Sequence, residues 1–174
     1  MIEYEVGQSG QVLVFSDTVL KHFRRHRQTR PWQKEAGGQL FARIALPRIV
    51  VSEATGPRPT DRRTRTSYQP DRAAEQREIL ERHARGLHFI GDWHTHPETR
   101  PAPSGRDHRS IADCFVRSTH GLNAFVLVIV GTAALQEALY VAVHNAELTT
   151  RLIAREARGP PPTSGRPLGS PVDS

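Results

Sequence analysis

The stretch Gly91-Asp-Trp-His94-Thr-His96-Pro97, followed by Pro103-Ser104-Gly-Arg-Asp107, leaves this 174-residue chain few ways to fold. Leu87 to Trp93 reads as a strand, being mostly apolar and bounded by a glycine upstream. Side chains alternate faces along a strand, so His94 and His96 present both imidazoles on one side. Pro97 stops the strand and keeps the following loop out of it. Ser104 and Asp107 form a Ser-x-x-Asp box, which caps a helix and places the aspartate in its first turn.

The rest of the chain supplies partners for that strand. Gln11–Phe15 predicts a strand, and Ser16 or Asp17 a cap for a helix to about Gln28, with Val19, Leu20 and Phe23 facing the core. Gly37 and Gly38 break the chain before a strand over Gln39–Ala45. Pro47 turns it into another strand starting at Ile49, which makes a hairpin. Gly56–Pro70, with three prolines and four arginines, reads as a long exposed arm, extended over Thr66–Gln69. Asp71 caps a helix to about Arg85, with Ala74, Ile79 and Leu80 facing inward. A helix from Ser104 to near Thr119 follows, then strands over Asn123–Val130 and Leu135–His144 joined at Gly131, and a last helix over Glu147–Arg158. Strands mixed with helices, and hairpins at both ends, give an α/β fold: a single domain with a mixed β-sheet flanked by helices. The domain is expected over residues 1–156. Residues 157–174, rich in Pro, Gly and Ser, are expected to be a disordered tail.

Composition narrows the function classes. No run of about 18 apolar residues exists, so no membrane span is expected. The opening Met1-Ile-Glu-Tyr-Glu lacks the layout of a signal peptide. Cys114 is the only cysteine, which excludes an intramolecular disulfide and a thiolate zinc cluster. A cytoplasmic protein fits these features. The formal charge of +6 comes almost wholly from arginine, since Lys21 and Lys34 are the only lysines.

Two neutral imidazoles on one face are a natural pair of zinc ligands, and Asp107, on a helix starting beside them, can supply a third. Three protein ligands leave one tetrahedral position for water, as in catalytic sites. Such a site lowers the pKa of water from 15.7 to about 7. A hydrolase also needs a base to take the water's proton and return it to the leaving amine. Glu35, just before Ala36-Gly37-Gly38, is the candidate, and spacing alone leaves Glu53, Glu75 and Glu78 open.

His94-x-His96-x7-Ser104-x2-Asp107, with an upstream glutamate, resembles the JAMM signature of the JAB/MPN zinc metalloproteases. The resemblance implies a JAB/MPN-like, cytidine-deaminase-like sandwich. It implies one Zn2+ per chain on His94, His96 and Asp107, Glu35 as general acid/base, and Ser104 as a hydrogen-bonding residue that helps stabilise the oxyanion. Over about residues 10–145, Glu35–Leu40, Asp61–Tyr68 and Gly91–Glu98 are similar to a bacterial JAB subfamily of mobile elements and CBASS anti-phage operons. That likeness implies an isopeptidase acting after the C-terminus of a ubiquitin-like protein or its conjugate, with a cGAS-like nucleotidyltransferase among the targets. Processing of a sulfur-carrier precursor is the alternative enzyme reading, and a non-catalytic MPN-type interaction module the alternative of another class.

Other features receive smaller roles. His22 and His26, one turn apart among arginines, read as a solvated helix face. Trp93 alternates away from the histidines toward the core, while Asp92 shares their face, either as a partner to one imidazole or as a surface acid. Cys114 reads as a packing residue. The arginines from Arg58 to Arg65 lack interleaved aromatics apart from Tyr68, which disfavours nucleic acid. An arm cradling an extended substrate tail is the preferred reading, and a plain solvated loop the alternative.

Overall fold

In the computed structural model, which describes residues 1–155, eight strands form one sheet. In chain order the elements are β1 (Ile2–Glu5), β2 (Val12–Phe15), α1 (Asp17–His26), β3 (Gly37–Ala45), β4 (Arg48–Ala54), β5 (Arg62–Arg63), β6 (Tyr68–Gln69), α2 (Arg72–His83), β7 (His88–Thr95), α3 (Gly105–Arg117), β8 (Phe125–Val130), α4 (Leu135–Ala138), β9 (Leu139–His144) and β10 (Thr149–Arg151). The large sheet runs β1-β2-β4-β3-β7-β8-β9-β10, and β5-β6 make a separate two-stranded hairpin. The sheet is mixed, as expected: β2 lies parallel to β4 and β7 to β8, and the other pairs are antiparallel.

Alternation along β7 and β8 divides the core between two faces. On one, Trp93 and Val128 pack with Phe15, Val19, Leu20 and Phe23 under α1. On the other, Leu127, Ile129 and Phe125 pack with Ile111 of α3. Trp93 is 1% exposed, and its indole N–H donates to the Thr55 carbonyl at 2.9 Å, so the one polar atom of a large apolar side chain is satisfied. Gly91 sits where β7 meets β8, with φ +143°, and a Cβ there would collide with the Val126 backbone. Only glycine lets the strands approach this closely.

Four readings of the sequence give way. The segment after His144 is a strand rather than a helix: the Asn145 side-chain oxygen accepts from Glu147 N and Leu148 N, closing a tight turn that returns β10 along β9. Residues 152–155 are not helical either, and Ala154 bridges to Tyr4; only residues 156–158 of that expected helix, and the expected tail, lie outside the described residues. Leu135–Ala138 is a short helical turn, and the strand begins at Leu139. In α2, Leu80 is 63% exposed and Glu75 is the buried residue, so this helix docks through charge and not an apolar stripe. His22 and His26 are half-buried, with rings 5.1 and 5.9 Å from the Trp93 ring. β1, which the sequence reading passed over, pairs antiparallel with β2 through a turn containing Gly7 and Gly10, both at positive φ.

Candidate metal centre and cleft

The end of β7 is fixed on both sides. Thr95 N donates to the Ala36 carbonyl at 2.8 Å, and His96 N donates to the Val130 carbonyl at 3.0 Å. Thr95 points to the opposite face from the histidines and is fully buried. Its hydroxyl accepts from Ala36 N and donates to Gln28 Oε1, each at 2.9 Å. The loop after Pro97 is held by Thr132 N, which donates to the Glu98 carbonyl at 2.9 Å, and ends at the cap of α3. There Ser104 Oγ accepts from Asp107 N at 3.2 Å and Asp107 Oδ2 accepts from Ser104 N at 2.6 Å, a closed capping box.

This brings the sequence-predicted residues together. His94 Nε2 and His96 Nε2 lie 3.2 Å apart. Asp107 Oδ1 is 3.2 Å from His94 Nε2, and Oδ2 is 3.6 Å from His96 Nε2. Glu35, 8% exposed, offers a carboxylate oxygen within 4.8 Å of both ring nitrogens. Of the four glutamates left open by spacing, it alone reaches the histidines. Glu53 is paired with Arg82 and Arg85, Glu78 with Arg58, and Glu75 with Arg72. Ser104 lines the same cleft.

The donor set suits a metal ion. Metal–donor bonds of about 2.0–2.1 Å in a tetrahedron require donors roughly 3.3–3.4 Å apart, close to the 3.2 Å between the two histidine Nε2 atoms and the 3.2 Å from His94 Nε2 to Asp107 Oδ1. Glu98 Oε2 accepts from His96 Nδ1 at 3.1 Å, which leaves the Nε2 lone pair free for coordination. Burial, then the neighbouring His94, lowers the His96 pKa and keeps that imidazole neutral, as a ligand must be. For Asp107 burial alone would raise the pKa, but the hydrogen bond and charge of His94 outweigh it, and the carboxyl lies well below its ordinary range. Glu35 moves the other way: burial, with Asp107 adding and His94 opposing, pushes it up to about 7.

Glu35 is held from the arm. Its N–H donates to the Thr64 carbonyl at 2.8 Å, and Arg63 donates to its carbonyl at 3.4 Å. The arm is not the exposed loop expected. Arg58 is buried and bidentate to Glu78 (2.8 and 2.5 Å), and Asp61 accepts from Arg58 N, Asp71 N and the Tyr68 hydroxyl. Tyr68 thereby stands over Gly37, where a Cβ would come within 2.7 Å of its ring. The result is a cleft of about 290 Å³ between the arm and α3, with Glu35 and the histidines in its wall. Tyr68, Arg72, Glu98 and Arg106 line it too, without having been singled out in the sequence. For Glu98, its place two residues after a candidate ligand was the available signal.

Sheet and donor set together define a class, an α/β protein built around one candidate metal centre in a narrow cleft. The chain belongs to the family of prokaryotic homologues of the JAB domain, which it matches over residues 16–147. A CD-NTase/cGAS isopeptidase of Pseudomonas aeruginosa is 31% identical over 110 residues, 62% of this chain and 70% of that protein. Another of the same description, from Escherichia coli, is 28% identical over 123 residues, 69% and 76% of the two chains. The solution structure of a Desulfitobacterium hafniense protein shares the fold, with TM-score 0.58 at 17% identity, covering 80% of this chain and 88% of that one.

Proposed function

We propose that this protein is a zinc-dependent isopeptidase that hydrolyses the amide bond after the C-terminus of a ubiquitin-like protein or of a conjugate built like one. The observation that carries the reading is the convergence of Glu35 on His94, His96 and Asp107 inside one cleft. His94, His96 and Asp107 would hold the ion, and when bound it supplies Lewis acidity that polarises a carbonyl and acidifies water. Glu35 accepts a proton from the attacking water and delivers it to the departing amine, which also takes the proton released by the new carboxyl, so one water and one amide become a carboxylate and an ammonium. Burial raises that carboxyl above its ordinary range, the direction a two-way proton carrier needs. The Ser104 hydroxyl, whose oxygen already accepts from Asp107 N, retains its proton to donate to the developing oxyanion. The arm shapes the cleft for an extended chain.

The relatives' description supports conjugates of a cGAS-like nucleotidyltransferase as the substrate; a cytoplasmic role in antiviral defence is part of the same proposal. No helix among the described residues is long and apolar enough to cross a membrane. The test is incubation of the zinc-loaded protein with such a conjugate, with and without chelator, beside Glu35→Ala. Cleavage after the carrier's last residue, lost with chelator and in the variant, is expected. Full turnover by Glu35→Ala would overturn the role given to that residue.

A further inference from the structure

The cleft continues behind the histidines. The preceding side chain on their face of β7 is Asp92, whose partner in the β7–β8 register is Leu127. Ile111 of α3 lies over them, and Arg72 and Glu75 of α2 close the side. Arg72 is occupied, donating to Glu75 Oε2 at 2.8 Å, while Arg58 lies 3.7 Å from Glu75 and is itself bidentate to Glu78. Among the described residues, none makes a hydrogen bond or ion pair to the Asp92 carboxylate, although it faces the cleft. Arg58 pairs with Asp61, Glu75 and Glu78, and Arg72 with Glu75, so neither guanidinium forms an ion pair with Asp92. Asp92, the acid without a partner, lines the cleft beside Arg72, Glu75 and Arg106.

We infer that this end of the cleft is a specificity subsite for a basic side chain of the substrate, lysine or arginine, whose aliphatic stem lies along the cleft edge of the Leu127–Ile111 contact and whose charged head meets Asp92. The inference rests on the amide-hydrolase reading and adds a substrate preference to it. An apolar wall with an acid at its end fits such a side chain, because the stem loses water while the head keeps a charged partner. Asp92 lies two residues behind His94, roughly 7 Å along the strand, which places the basic residue one or two positions from the scissile bond.

The test uses the zinc-loaded full chain and a peptide-amide library randomised on both sides of the scissile bond. Lysine or arginine is expected over norleucine by ~10-fold or more in kcat/KM at one fixed position. Asp92→Asn should bring that ratio close to one, whatever it does to the absolute rate. A second measurement needs no turnover: methyl spectra of Ile111 and Leu127 during titration with Nα-acetyl-lysine methylamide or its norleucine counterpart. Saturable shifts with the lysine probe alone, lost in Asp92→Asn, support the subsite. Equal or absent shifts, or a basic preference that survives Asp92→Asn, overturn it. A library left uncleaved counts against the isopeptidase reading, and the methyl shifts then decide the subsite by themselves.

Discussion

Replacing Thr95 by valine tests how the candidate site is held in place. The hydroxyl is fully buried between two partners, accepting from Ala36 N and donating to Gln28 Oε1. Valine fills similar space and satisfies neither. Each stranded buried group costs about 1–3 kcal/mol, so the pair costs roughly 2–6 kcal/mol. The added methyl returns about 0.8 kcal/mol, leaving a net loss of ~1–5 kcal/mol. Typical domains hold only about 5–15 kcal/mol, so the change is large. Thr95→Ser keeps both hydrogen bonds and gives up one methyl, for ~1 kcal/mol. Urea unfolding should show a much lower midpoint for Thr95→Val than for Thr95→Ser, with unchanged slope. Because Ala36 follows Glu35, Thr95→Val should also lower kcat more than it raises KM. Equal midpoints for the two variants would refute the argument.

Arg58→Met removes the cation among Asp61, Glu75 and Glu78 and should destabilise by ~3–5 kcal/mol, read as a fall in denaturant midpoint; a loss under 1 kcal/mol would mean the carboxylates relax without it. Gly91→Ala combines a positive-φ position with a backbone collision and should cost several kcal/mol, about 1–3 from each source, seen as insolubility or a low Tm. His26 and His144 are each depressed to about 4, first by burial and then by a neighbouring histidine. The unfolded chain protonates them near 6.5 and the folded one near 4, so stability is lost as pH falls through that window and levels off below it. The urea midpoint should drop from pH 6.5 to 4, and His144→Gln should flatten part of the drop. Removing the metal with chelator should abolish cleavage and lower Tm, and zinc should restore both.

Local pattern was enough where the chemistry is local. The His94/His96 alternation, the Ser104–Asp107 box and the apolar runs of β7 and β8 each announce themselves within ten residues. What stayed hidden depends on distant partners. Glu35 could be separated from Glu53, Glu75 and Glu78 only once Arg58, Arg72, Arg82 and Arg85 were seen to occupy the other three. The segment after His144 carries helix formers, but β9 offers an open edge and Asn145 a turn, and pairing overrides propensity there. In α2 no apolar stripe exists to be read, because its buried side is the carboxylate of Glu75.

β3 and β7 run in opposite directions, so the start of one meets the end of the other, with Gly37 opposite His94. The ladder between them works as a ruler. A slip of one residue would move Glu35 about 3.3 Å along the strand and turn its flanking side chains to the other face. The gap between the candidate proton carrier and the candidate donor atoms is thus graduated in backbone hydrogen bonds, which set the register in whole residues. The arm and the loop before α3 can be redrawn for new substrates while that scale stays unaltered.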